Sequence, residues 1–381
     1  MKILVYFLFI LYSSTLCLAQ SFYNKGGIVS IQAGTIFTTK DSLVNTGTLT
    51  NNGNMVMGGV WFNQGNYNPG NGEITFNSIA GAPSQVINHN NQTFKKLTIS
   101  GGGEKVMLAD MTIDGELILE NGIITGENDS KIKFSSSATI SGGGNNAHIK
   151  APVVHSGSGQ KVFPIGDGTQ YLPVTISDIN NSEIEIAMLQ EPFNANFNLE
   201  LQSIVNDRYW QVNAISGSLS NTLITLPVFQ LPSQIDQEKL VVAQSASIND
   251  EFFNLDKTNF SGSLANGSIS ARINEADNAI FSLAVASELS GEVLVYNAVS
   301  ANEDGLNDYL EIANITNYPN NKLLVFNRWG DVVFEINGYN NTDRVFKGVN
   351  NSGSLLPKGT YFYRLDLGDG SLVKSGYISV K

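Results

Sequence analysis

The sequence is poor in cysteine, histidine and charge, and each scarcity removes a class of function. Among 381 residues there is one cysteine, Cys17. It lies inside an N-terminal leader, so cleavage after Ala19 leaves a mature chain that can form neither disulfides nor thiolate metal sites. The three histidines, His89, His148 and His155, are accompanied by no Gly-x-Ser-x-Gly elbow and no His-Glu-x-x-His. Acid–base and nucleophilic catalysis need convergent groups of that kind, and the chain is not expected to be an enzyme. His148 and His155 stand on either side of a turn and read as solvated loop residues. Charged residues make up only 15%, with a formal net charge of −12. Phosphate backbones and anionic lipid repel such a chain, which argues against nucleic-acid binding. Beyond the leader no apolar run reaches the ~18 residues of a membrane-spanning helix, so no transmembrane anchor is expected in the mature chain. Gly101-Gly102-Gly103 has neither the helix nor the lysine of a phosphate loop and reads as a turn.

The leader itself is well marked. Lys2 supplies a positive start, residues 3–11 an apolar core and Cys17-Leu18-Ala19 a small-x-small cleavage site before Gln20. Residues 1–19 are therefore a secretory signal peptide. Leu16, ahead of Cys17, speaks against lipid attachment, which wants a small residue there.

What the chain does have is Gly, Asn, Thr and Ser around short apolar runs, with 37 glycines in all. Such a composition favours short strands and tight turns over helices, and an all-β class follows. Three regions are expected after the leader. In residues 20–150, β-rich runs such as Gly27-Ile28-Val29-Ser30-Ile31, Gly72-Glu73-Ile74-Thr75-Phe76 and Lys96-Leu97-Thr98-Ile99-Ser100 alternate with turns such as Asn51-Asn52-Gly53 and Asn63-Gln64-Gly65. Units too short to bury a core alone point to a β-solenoid-like stack, with a sandwich as the alternative. Residues 151–287 carry strand candidates around Tyr209-Trp210-Gln211-Val212 and Leu240-Val241-Val242-Ala243, spaced as in a β-sandwich with Trp210 in its core.

Residues 288–381 carry the most specific signals. The blocks Ala301-Asn302-Glu303-Asp304-Gly305, Asn327-Arg328-Trp329-Gly330, Phe346-Lys347-Gly348 and Pro357-Lys358-Gly359-Thr360-Tyr361 follow one another toward the end of the chain. Arg328-Trp329-Gly330-Asp331 reads as a hairpin turn with Gly330 supplying positive φ, and Pro357-Lys358-Gly359 as a turn feeding an aromatic strand. Trp329 is expected to be a packed side chain. In order and spacing these blocks resemble the gliding motility-associated C-terminal domain, the type B sorting domain of type IX secretion cargo in Bacteroidetes. The resemblance departs at two turns, where the family usually has Pro-Asn-Gly-Asp-Gly and Trp-Asp-Gly. It implies an immunoglobulin-like sandwich, the type IX secretion machinery as partner, and delivery through the periplasm to the cell surface or beyond.

Three further groups of residues merit attention. Asn302, Asp304, Asp308 and Glu311 approximate the ligand spacing of a calcium loop, although an Asx turn without metal explains the same residues. Asp110, Asp114 and Glu116 are close in sequence, and the last two share a strand face, as a polysaccharide-cleaving pair would. Trp61, Phe62 and Tyr67 would contact carbohydrate if they formed a flat exposed row. The leading expectation is a structural, adhesin-like surface protein whose contact is surface polysaccharide or another cell-surface protein. The alternative is a secreted carbohydrate-active enzyme or carbohydrate-binding protein built on the solenoid.

Overall fold

The computed structural model describes residues 18–78, 84–189, 195–198, 200–273, 278–287, 292–300, 302 and 307–381. Residues 1–17 of the expected leader lie outside the described part. Among the described residues there is no α-helix; two single-turn 3-10 helices, Gln237–Lys239 and Ile315–Asn317, interrupt an otherwise all-β chain. The chain divides into two compact units, residues 1–198 with 203–285, and residues 199–202 with 286–381.

The first unit begins as a parallel β-solenoid. Each run named above within residues 20–150 forms a strand, and each strand pairs in parallel with one from the next turn of chain. One inner column passes through Phe37, Met55, Ile74, Leu97, Leu117 and Ile140, giving six stacked rungs. Met55, Ile74, Leu97 and Leu117 in it are completely buried. A single four-residue strand such as Asn54–Met57 hides two side chains, too few for a core. Stacking makes those side chains continuous, at roughly 1.5–3 kcal/mol for each large aliphatic group buried. The corners are tight enough to require glycine: a Cβ on Gly65 would lie 2.1 Å from the Gly47 carbonyl oxygen, and one on Gly47 2.2 Å from that of Gly27.

The solenoid interior is not purely apolar. Asn24, Asn45 and Asn63 occupy one register column. Asn24 Nδ2 donates to Asn45 Oδ1 at 2.8 Å, and Asn45 Nδ2 to Asn63 Oδ1 at 2.7 Å. Each amide donates to the next, which lowers the cost of burying a polar column, and of its amide nitrogens only Asn63 Nδ2, at its end, finds no partner among the described residues. One residue beyond the Phe62–Asn88 pair the column would reach His89. Its Nδ1 instead accepts from Trp61 Nε1 at 3.1 Å, while its ring stacks on Phe94 at 3.7 Å.

The expected boundary after residue 150 falls inside this first compact unit. Strand Val153–Phe163 pairs in parallel with the solenoid strand Ile132–Phe134 and antiparallel with Val174–Leu189, so it converts one sheet type into the other. From there the pairing is antiparallel, through Leu201–Ser216, Leu223–Phe229, Asn266–Arg272, Leu240–Ser245 and Asn278–Ala286. Trp210 is completely buried, and one apolar cluster runs from Ile31 to Leu283.

The second unit is a small β-sandwich with its own core. A five-stranded sheet has the order Ala298–Val299, Lys374–Val380, Gly359–Asp366, Lys322–Phe326, Val332–Asn337. The pair Leu294–Val295 and Ile312–Ala313 forms the other layer. Leu323, Val325, Phe346, Leu365 and Ile378 fill the space enclosed. Tyr339 ties the layers: its hydroxyl donates to the Leu310 carbonyl and accepts from Phe346 N, and burial holds its pKa above the ordinary phenol range.

Candidate functional site

Two of the blocks that carry the sequence resemblance, at residues 327–330 and 357–361, come together at one end of the five-stranded sheet. Strands Lys322–Phe326 and Gly359–Asp366 run antiparallel with Phe326 opposite Phe362. The turn that follows Phe326 and the chain that precedes Phe362 therefore lie at the same end. In the turn, Asn327 is the organiser. Its Oδ1 accepts from Trp329 N at 2.9 Å and Asp331 N at 3.0 Å, and its Nδ2 donates to Asp331 Oδ2 at 3.0 Å. An Asx turn of this type locks a hairpin without help from packing. Gly330 takes φ +91°, the positive value expected of it. Across from the turn, Tyr361 buries its ring and donates its hydroxyl to the Pro357 carbonyl at 2.8 Å, while Gly359 and Thr360 are exposed.

Trp329 departs from expectation. It is 76% exposed, with the Arg328 guanidinium 4.8 Å from its ring centroid. The turn closes on its own backbone and Asn327 alone, so nothing requires the indole inside. Period 2 along the neighbouring strands also brings out aromatics that the motif blocks did not single out. Phe326 pairs with Phe362 and Phe362 with Tyr377, forming one cross-strand row on the face away from the core. Phe362 and Tyr377 are 48% and 54% exposed. Each alternates with a core residue, Val325, Tyr361 and Ile378, and that alternation was the available sequence signal.

The solenoid candidates are placed differently. Trp61 and Tyr67 are buried, edge to face at 5.6 Å and 88°, within a cluster that includes Phe76 and Phe94. Phe62 alternates with Trp61 and is partly exposed. A flat exposed row of the three is thereby corrected: the strand's alternation sends the largest ring inward. Asp114 and Glu116 lie on one strand, but each meets a lysine, Lys95 at 3.2 Å and Lys96 at 3.3 Å. Lys96 also lies 3.6 Å from Glu73, and the Glu116 hydrogen bond, then the Glu73 charge, raise its pKa. Asp110 pairs with Lys133 at 2.7 Å. These acids form charge columns between rungs, each facing a lysine.

The histidines are not solvated. His148 and His155 are both buried. His155 continues the register column of Phe94, Ile113 and Phe134, stacking on Phe134 at 4.6 Å, and its Nε2 donates to the Val162 carbonyl at 3.0 Å. His148 Nε2 accepts from Gly168 N at 3.1 Å, leaving Nδ1 to donate to the Gly144 carbonyl. Burial pulls His89 down to about 3 and, with the nearby Lys161 charge, His155 to about 4, so both are neutral at pH 7. Of the calcium-loop residues, Asp304 lies outside the described residues. Asn302, Asp308 and Glu311 flank it between Ala298–Val299 and Ile312–Ala313. Among the described residues, no three His, Cys, Asp or Glu side chains converge as a metal site.

Comparison with known proteins adds the following. No curated protein matches the chain. Among solved structures, the adhesin domain of Epf from Streptococcus pyogenes aligns at 11% identity, over 61% of this chain and 92% of that one, with a TM-score of 0.19. No helix among the described residues is long and apolar enough to cross a membrane. Residues 293–380, which hold the Asn327 turn and the five-stranded sheet, match the CHU_C type IX secretion signal domain, and the chain is thus a secreted or cell-surface cargo of that machinery.

Proposed function

We propose that this is an adhesin-like structural protein of a Bacteroidetes cell surface, without catalytic activity, whose residues 1–19 direct inner-membrane passage and whose terminal sandwich directs outer-membrane passage. The observation that carries the reading is that the matched segment has a core of its own, centred on Leu323, Phe346 and Ile378. A label that folds separately can be presented to a receptor whatever cargo precedes it. The adhesin-like part draws support from the solenoid. Its Trp61 and Tyr67 serve its core, Asp110, Asp114 and Glu116 pair with lysines between rungs, and its histidines are buried and neutral. Such a body supplies a rigid repetitive surface for polysaccharide or a protein partner.

The test is localisation in a bacterium that has the machinery. The full chain should reach the surface, where added protease digests it in intact cells. A chain lacking residues 288–381 should accumulate in the periplasm as a folded protein. Surface delivery of that truncated chain at full level would refute the sorting role. Binding of the purified full chain to whole cells or to extracted surface polysaccharide tests the adhesin role, and absence of binding to either would remove it.

A further inference from the structure

The terminal sandwich has one sheet face packed on its core and another that displays aromatics beside positive charge. On the displayed face, Phe326, Phe362 and Tyr377 form the cross-strand row already described, with Val332 at its end. Glu335, Leu324, Arg364 and Ser375 form the next row, and Glu335 there is paired with Lys322 at 2.5 Å. Arg328 stands over Trp329 in the turn that leaves the sheet directly after Phe326. Neither Arg328 nor Arg364 makes an ion pair among the described residues, in a chain whose net charge is −12. Exposed Trp, Tyr and Arg on a rigid support are the residue types that dominate protein–protein binding energy. Folding explains none of them, since the core lies on the opposite face and the turn is held by Asn327.

The neighbouring edge of the sheet offers a different route for a partner, and it is closed. Along strand Val332–Asn337, Asn351 N donates to the Val333 carbonyl at 3.3 Å. Asn351 Oδ1 accepts from Glu335 N at 2.8 Å, and its Nδ2 donates to the Glu335 carbonyl at 2.9 Å. Arg344 takes the Asn337 carbonyl at 3.2 Å. A partner adding a strand here would have to displace all four bonds.

Building on the sorting role proposed above, we infer that the Trp329 turn and the Phe326–Phe362–Tyr377 row are the surface that the secretion machinery reads, through side chains rather than strand addition. The occupant is a machinery protein whose contact face is apolar and acidic, with carboxylates opposite Arg328 and Arg364. Apolar contact supplies affinity there, and the two guanidiniums supply orientation and steering.

The experiment compares surface with periplasmic amounts of the full chain in a type IX-competent bacterium. The variants are Trp329→Ser, Phe362→Ser with Tyr377→Ser, and Arg328→Glu with Arg364→Glu. Arg328→Lys with Arg364→Lys keeps the charge. Leu372→Ser, at a residue 93% exposed elsewhere on the unit, controls for loss of any surface apolar group. A chain lacking residues 288–381 controls for the sorting role itself. Melting of each purified variant establishes that it is folded. The serine and glutamate variants should melt like the parent yet lose at least tenfold in surface delivery, while the lysine and Leu372 variants stay within twofold. If the truncated chain is trapped but folded serine variants are delivered normally, the recognition surface is wrong and the sorting role stands. If only the glutamate variant is delivered normally, the acidic partner is refuted. Normal delivery of the truncated chain overturns both.

Discussion

The solenoid and the terminal sandwich use the same residue types for opposite ends. In the solenoid, Trp61, Tyr67, Phe76 and Phe94 face inward, while Asn45, His89 and Lys105 are buried beside them. In the sandwich, the core is aliphatic and aromatic with Asn321 among its few buried polar groups, while Trp329, Phe362 and Tyr377 face out. The cause is architectural. A solenoid repeats a narrow interior in which a polar column can pair from rung to rung, so polar side chains enter at a reduced cost. A single small sandwich has no next rung to offer. Its interior must be apolar, and its exposed aromatics are then free of any structural duty.

The sharpest way to break this comparison is to truncate one tryptophan in each unit. Trp61→Ala removes a completely buried ring and should cost about 3–5 kcal/mol in the solenoid-containing unit. Trp329→Ala should change the stability of the sandwich by less than about 1 kcal/mol. Denaturant unfolding of the full chain, with one probe on each unit, reads both. Similar losses would mean that exposure does not distinguish the two residues.

Acid separates the units next. His89 has a pKa of about 3 in the fold against 6.5 when unfolded, and His155 about 4. Below pH 6.5 the unfolded chain takes up protons that the folded chain refuses. Their contribution is therefore intact above pH 6.5 and is lost as pH falls toward 4 and then 3. By pH 5 the loss should be on the order of 2 kcal/mol per histidine. All three histidines lie in the first unit, so the sandwich should show no histidine-linked loss between pH 7 and 5. Melting curves across that range check the contrast, and His155→Phe, which continues the aromatic column, should flatten the slope. An unchanged slope in that variant would remove His155 as a cause.

A smaller effect distinguishes buried from exposed asparagine. Asn45→Ala breaks two ladder bonds and strands the Asn63 Oδ1, while Asn24 keeps the Gly27 and Thr48 carbonyls, at about 2 kcal/mol. Asn327→Ala opens a solvent-exposed turn, at about 1 kcal/mol. Equal costs would argue that the column gains nothing from its repetition. The smallest effect belongs to the outer charge columns. Lys96→Met should cost less than about 1 kcal/mol, because Lys96, Glu73 and Glu116 are all partly solvated. The difference should vanish in 1 M salt, where such pairs are screened.

Much of this was legible before any coordinates. The strands at Glu73–Asn77, Met111–Leu119 and Gly359–Asp366 follow from β-rich runs between Asn and Gly turns. The turn at Asn327–Asp331 follows from its own local chemistry. The asparagine ladder was partly visible, since Asn45-Thr46-Gly47 and Asn63-Gln64-Gly65 repeat one pattern. Yet Asn-x-Gly is also ordinary turn sequence, and only the stacking of rungs turns those amides inward. His148 and His155 were misplaced for a related reason. A histidine flanking a turn reads as solvent-exposed until a neighbouring rung covers it.

Local sequence determined that the chain is all-β, where many of its short strands and turns fall, and which segment is the secretion signal. These properties depend on backbone preference and on residues within a few positions of each other. Tertiary structure alone decided which face each strand shows to solvent. Trp61 and Trp329 both lie within three residues of a phenylalanine and at or near a turn, but other protein closes over the first and none closes over the other. Burial is a property of what packs against a side chain, and in this fold the covering residues lie a rung or a sheet away in sequence.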